Sequence, residues 1–220
     1  MRNNFGKLLV LFGFAMLISA AVLCVHNIQE GRNAGAFAET AVSAIKQNLP
    51  EKTTEPVQTA VTTMTENLFA PYETTVTTAE TTAEIVIDGR AYCGYLTIPA
   101  LGLELPVRSG WSYPALKESP CRVSGSAQTH DLVIAAHNYP AHFGRISALG
   151  SGDQIVFTDA ENKQYSYTVA YTEIIAGTAP ALMFSGEAEE WDLTLFTCTL
   201  SGQNRVTVRA NLVTDDSAAE

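Results

Sequence analysis

Residues 84–214 predict an all-β domain, a barrel or a sandwich, and three features of the text carry that reading. Apolar runs are short, glycine, proline and asparagine punctuate them, and helical periodicity is scarce while period-two alternation recurs. About 130 residues are enough for one hydrophobic core, and many short strands without alternating helices favour a barrel or sandwich over a βαβ fold.

Taken in order, the chain opens with a short segment, residues 1–7, that carries Arg2 and Lys7. Leu8–Val25, "LLVLFGFAMLISAAVLCV", follows as 18 residues without a charge. As a helix it spans roughly 27 Å, close to the hydrocarbon thickness of a bilayer. The preceding cations predict a single-pass anchor with its N-terminus inside. A cleaved signal peptide is the competing reading, but the small-residue sites in "AGAFA" (Ala34–Ala38) lie well beyond the apolar run. Leu23 before Cys24 argues against a lipoprotein.

Residues 26–83 read as an extracellular stalk. Within it, "NAGAFAETAVSAIKQN" (33–48) suits a short helix, whereas from Leu49 the composition is Thr-, Glu- and Pro-rich. Threonine supplies 12 of the 30 residues Thr53–Thr82. Such text buries too little apolar surface to offset ordering entropy, so a flexible spacer is expected. Residues 215–220 form an acidic tail.

Within the β domain, "YCGYLTIPALGLELPV" (Tyr92–Val107) holds strands broken at Pro99 and Gly102. "DLVIAAHNY" is a buried strand with a polar end at His137. "GDQIVFTDAENKQYSYTVAYTEII" is a strand, a turn around Ala160–Lys163 and an alternating strand. "WDLTLFTC" and "RVTVRANLV" form the last pair, and short helices are expected near "SYPALKE" and between Pro180 and Glu190.

The net charge of −10 argues against a nucleic-acid partner, because phosphate binding needs basic patches. Of four cysteines, Cys24 lies in the apolar run, leaving Cys93, Cys121 and Cys198. An odd number outside a membrane leaves a thiol unpaired. Cys93 and Cys121 suit core packing better than a disulfide. Cys198 ends a strand, a turn containing Ser201-Gly202 follows, and Arg205 opens the next strand. A hairpin brings Cys198 and Arg205 together, where a guanidinium favours thiolate and offers donors to an oxyanion. His137, at a strand end, can serve as general acid toward a leaving amine. His142 reads as a loop residue bracing Phe143. The spacings of His130, His137 and His142 match no zinc pattern, so no metal is expected, and with no phosphate-cradling glycine loop present no organic cofactor is expected either.

"TLFTC" (Thr194–Cys198), Arg205 at the next strand and His137 in "LVIAAHNYPAHFGRISALGSGDQIVF" together resemble the sortase family, the cysteine transpeptidases of Gram-positive surfaces. "YLTIPALGLELPV" resembles that family's first barrel strands, and the likeness covers about residues 90–213 in the order His, Cys, Arg. "SPCRVSGS" and "HNYPAHFG" are closer to the class B or class D style. The resemblance implies a closed eight-stranded β-barrel and a substrate protein bearing a C-terminal Leu-Pro-x-Thr-Gly-like sorting signal. It further implies Cys198 as nucleophile, His137 as proton donor, Arg205 holding substrate or oxyanion, and Thr197 supporting the oxyanion. An amine acceptor, a peptidoglycan precursor or a pilin lysine, would complete transfer on the extracellular face of the membrane. A hydrolytic cysteine peptidase and a non-catalytic surface binding module are the other readings. No obvious carboxylate orients His137, so modest turnover is expected.

Overall fold

The computed structural model describes residues 2–50, 83–183 and 191–214. A helix α1 (Arg2–Asn48) precedes β1 (Ile85–Ile87), β2 (Arg90–Ile98) and β3 (Leu103–Arg108). Helix α2 (Tyr113–Glu118), β4 (Cys121–Ser124) and β5 (Leu132–Ala135) come next, then β6 (Gln154–Asp159), β7 (Gln164–Ala176), β8 (Leu193–Cys198) and β9 (Asn204–Leu212). Pro99 and Gly102 do separate two strands, through a single 3-10 turn whose left-handed end falls on Gly102. Pro180–Met183 forms another such turn, and the rest of the helix expected up to Glu190 lies outside the described residues.

Strand order β2-β3-β4-β5-β8-β9-β7-β6 closes on itself through a β6–β2 pairing, giving an eight-stranded barrel. β1 is a ninth, short strand that pairs with the start of β2. Inside the barrel lie Leu96, Leu105, Ile134, Phe157, Leu195 and Val208 with their neighbours, all buried. Closure removes the exposed edges that a flat sheet of such strands would present.

The short helix expected at 33–48 is part of one longer element, since α1 continues from the apolar run through residues 26–48. Among the described residues it is the one helix long and apolar enough to cross a membrane, with Leu8–Val25 exposed along it. Beyond that run, Ala34, Ala38, Ala41, Val42 and Ile45 are buried. Their spacing of three and four lays them on one stripe, and Ala41, Val42 and Ile45 pack with Ile85, Tyr92 and Tyr95 on the barrel exterior. A side-chain carbon at Gly35 would stand 3.0 Å from Ala141, so the missing Cβ lets helix and barrel touch. Lys46 adds an ion pair to Glu104 at 2.6 Å.

The small residues that resemble a processing site are therefore a docking surface. The chain leaves this face at Pro50, whose carbonyl accepts a hydrogen bond from Asn162 Nδ2 at 3.0 Å. It returns at Ala83, which packs on the same cluster. The Thr-rich residues 51–82 lie outside the described residues, but both of their ends are at one side of the barrel.

His142 is sealed where helix and barrel meet, fully buried beside the backbone of Ala34 and Glu118. Burial pushes its imidazole down to about 4. Its folded value is depressed, so between pH 6.5 and about 4 the unfolded chain binds a proton that the native chain refuses. Stability therefore falls as pH drops through that window, by roughly 3 kcal/mol from this residue at the acid end. Urea midpoints at pH 7.5 and 4.5 should lie closer together in His142→Gln than in the wild type; an equal gap would remove His142 from the acid response.

Candidate active site

The pairing of β8 with β9 makes Cys198 and Arg205 direct Cα partners at the ladder's end. Opposed residues of an antiparallel pair project from the same face, so thiol and guanidinium share one side of the sheet. Leu193 and Leu195 are fully buried in the barrel, which places the alternate residues Thr194, Phe196 and Cys198 on its outer face. Cys198 is half-buried and free, while Cys93 and Cys121 are buried and unpaired. Burial pushes the thiol of Cys93 up to about 12 and that of Cys121 up to about 11, which makes both inert at neutral pH.

β5 runs parallel to β8 with Ala135 opposite Phe196. Continued two residues past its last pair, that register points His137 toward Cys198. The strand ends at Ala135, but two bonds carry the alignment onward. Ala136 N–H donates to the Phe196 carbonyl at 3.2 Å, and Thr197 Oγ1 donates to the Ala136 carbonyl at 2.8 Å. Thr197 is thus buried on the barrel side of β8 with its hydroxyl engaged in clamping the two strands. That hydroxyl faces away from the outer face where an oxyanion would form beside Cys198.

The loop after His137 is wound tightly. Phe143 N–H donates to the His137 carbonyl at 3.2 Å, and the N–H groups of His142 and Gly144 both donate to the Tyr139 carbonyl at 2.9 Å. Any side chain at Gly144 would strike the Asn138 carbonyl at 2.4 Å, so the loop closes on a bare backbone. Phe143 enters the barrel core with no exposure and anchors the whole turn. His137 itself is half-buried, its ring 5.1 Å from that of Tyr139. Burial holds its imidazole below the ordinary histidine value; Lys117 at the end of α2 adds to the effect, and Glu30 of α1 opposes it.

Arg205 donates from Nη1 to the carbonyls of Gly202 (2.9 Å) and Asn204 (3.1 Å), which steadies its stem over the hairpin turn. The next outward-facing arginine of β9, Arg209, was not singled out by sequence reasoning. It is 1% exposed and bonds to Glu173 (3.0 Å), Thr194 Oγ1 (2.7 Å) and the carbonyls of Met183 and Leu182. Trp191 covers its guanidinium at 4.3 Å. Arg209 thereby ties the segment that precedes β8 to the same outer face that carries Cys198 and Arg205. Its only sequence signal is parity with Arg205 on one strand.

His130, the first residue of the rejected zinc spacing, pairs with Asp192 at 3.0 Å. Among the described residues no group of three or more His, Cys, Asp or Glu side chains is placed to hold a metal ion.

Comparisons with known proteins agree with the architecture. The sequence matches the sortase domain over residues 96–213. Sortase C1 from Streptococcus agalactiae is 25% identical, with a TM-score of 0.50 over 60% of this chain and 72% of that one. A lid mutant of sortase A from Corynebacterium diphtheriae is 22% identical and shares the fold at a TM-score of 0.50, over 59% of this chain and 74% of its own. No curated protein sequence matches the chain.

Proposed function

Because the chain belongs to the sortase family, its domain matching over residues 96–213, we propose that Cys198 cleaves a C-terminal Leu-Pro-x-Thr-Gly-like sorting signal after the threonine and passes the acyl group to an amine. The observation that supports this reading most directly is register: Cys198 opposes Arg205 across β8–β9, and β5–β8, which pairs Ala135 with Phe196, leads His137 toward Cys198.

The chemistry balances without a cofactor. The Cys198 thiolate adds to the threonine carbonyl, and the guanidinium of Arg205 stabilises the oxyanion that develops. Protonated His137 gives its proton to the departing glycine nitrogen, the C–N bond breaks, and a thioester to Cys198 remains. An incoming amine attacks that thioester, returns a proton to His137 and releases the thiolate. Thr197 acts from behind by holding Ala136, and hence His137, against β8. A guanidinium stays charged throughout, whereas the His–Cys pair must share a single proton correctly, which keeps turnover modest.

The domain sits outside the membrane in this reading, with Arg2 and Lys7 inside. Glu30 is five residues beyond Val25, about 7.5 Å further along a helix, so the barrel lies against the headgroup layer rather than at the end of a spacer. Substrates that are themselves membrane-tethered suit such placement.

The decisive experiment incubates the full-length chain in detergent with a sorting-signal peptide library, with and without a small amine acceptor. Amide product that grows with acceptor concentration is expected. Cleavage insensitive to every acceptor would make the protein a hydrolytic peptidase, and no cleavage of any library member would overturn the assignment.

A further inference from the structure

The carboxylate absent from the sequence around His137 arrives from the other end of the chain. Tyr139 Oη donates to Glu30 Oε2 at 3.3 Å, and the Tyr139 ring lies 5.1 Å from the His137 ring, tilted by 37°. Glu30 stands on α1, one residue before Gly31, where a side-chain carbon would be only 3.9 Å from the Tyr139 ring. The helix, its glycine and the tyrosine are therefore in direct contact beside the candidate proton donor.

We propose that Glu30 is a positioning residue for His137, acting through Tyr139, so that the docked anchor helix completes the active site. The inference rests on the reading of His137 as the proton donor. A phenol that donates to a carboxylate becomes richer in π density, and an aromatic face attracts a cation beside it. Tyr139 thus offers the imidazolium a better-matched wall than it offers neutral imidazole.

The groups that face His137 make this support necessary. Burial and then Lys117, which approaches from α2, disfavour a positive charge on the ring, while Arg205 of β9 turns its Nη1 to the carbonyls of Gly202 and Asn204. His142, on the same loop, is buried and neutral at physiological pH. Cys198 of β8 is the anionic partner before attack, but once its sulfur has bonded to the carbonyl carbon it carries no charge, and Glu30 remains while His137 still holds the proton it will give to the leaving nitrogen. His26, one turn earlier on α1, has its Nε2 3.5 Å from the other Glu30 oxygen. Helix docking and acid chemistry are coupled by this arrangement. A chain whose α1 has come away from the barrel loses the carboxylate that helps His137 keep its proton.

NMR titration of histidine-labelled full-length protein in detergent micelles, with the His137 signal assigned from His137→Gln, tests the coupling without any substrate. In Glu30→Gln the His137 midpoint should fall by about 0.3–0.5 pH, a two- to threefold loss of proton affinity. Gly35→Leu, which forces α1 off Ala141, should lower it as well. In turnover assays Glu30→Gln and Tyr139→Phe should each reduce kcat by roughly three- to tenfold with KM unchanged. The double variant should be no worse than the poorer single, because both break one chain of contacts. An unmoved His137 midpoint in Glu30→Gln, or additive losses in the double variant, would overturn the proposal. Wild-type protein that cleaves no sorting peptide would instead count against the sortase chemistry, while the titration still decides the role of Glu30.

Discussion

Replacing Cys198 by alanine should abolish turnover of a sorting-signal peptide, with kcat/KM lowered by more than about a thousandfold. The size of the loss follows from where the sulfur sits. Cys198 is the one cysteine of the barrel that is half-exposed, on the outer face and opposite Arg205. The Thr197 hydroxyl cannot take over, since it is turned into the barrel and donates to the Ala136 carbonyl. A peptide vinyl sulfone should add one mass adduct to the wild type and none to Cys198→Ala. Cys93→Ala and Cys121→Ala serve as controls. Burial keeps both thiols protonated, so their loss should cost about a kilocalorie of packing per mole and leave the labelled mass unchanged. Retained cleavage by Cys198→Ala, or labelling that follows Cys93, would end the assignment of the nucleophile.

What the sequence made legible was mostly local. The Cys198–Arg205 pairing needs only period-two strands and a short turn, and both are readable from neighbouring residues. His137 was found because an apolar strand of a few residues stops at it. Its alignment with Cys198, however, comes from a parallel β5–β8 pairing between segments some 60 residues apart, which no local pattern announces. The anchor helix shows the same limit more sharply. Gly31, Ala34, Gly35 and Ala38 carry almost no hydrophobic signal, so they read as linker or processing site. Only the close approach of Tyr139 and Ala141, more than 100 residues later, gives their smallness a purpose. For that reason 33–48 reads only as a short separate helix, while α1 runs unbroken from the apolar stretch to Asn48. Glu30 was invisible as a partner of His137 for the same cause.

Arg209 should prove the most costly residue of the barrel to remove. Arg209→Met is expected to destabilise the fold by roughly 3–5 kcal/mol and to lower Tm by about 10 °C or more. An apolar replacement of similar length sometimes improves a buried ion pair, because the desolvation penalty vanishes with the charge. Here the balance goes the other way. Glu173 is still 38% exposed and Leu182 is exposed, so both can rehydrate, but the carbonyl of Met183 and the hydroxyl of Thr194 are buried and cannot. Each loses its donor, and Trp191 loses the cation stacked on its face at 4.3 Å. Arg209→Lys should recover little, since one ammonium cannot reach acceptors spread around a planar fork. The consequence extends to the site. Thr194 and Arg209, Phe196 and Thr207, and Cys198 and Arg205 are successive alternate pairs of one outer face. Releasing the segment at Leu182–Met183 frees the cover at one end of that row while the reacting pair stands at the other. At a temperature where Arg209→Met is still folded, KM for the sorting peptide should therefore rise several-fold with a smaller change in kcat. Equal Tm values for wild type and Arg209→Met would show that solvent or a neighbouring donor replaces the guanidinium, and an unchanged KM would separate the tether from substrate binding.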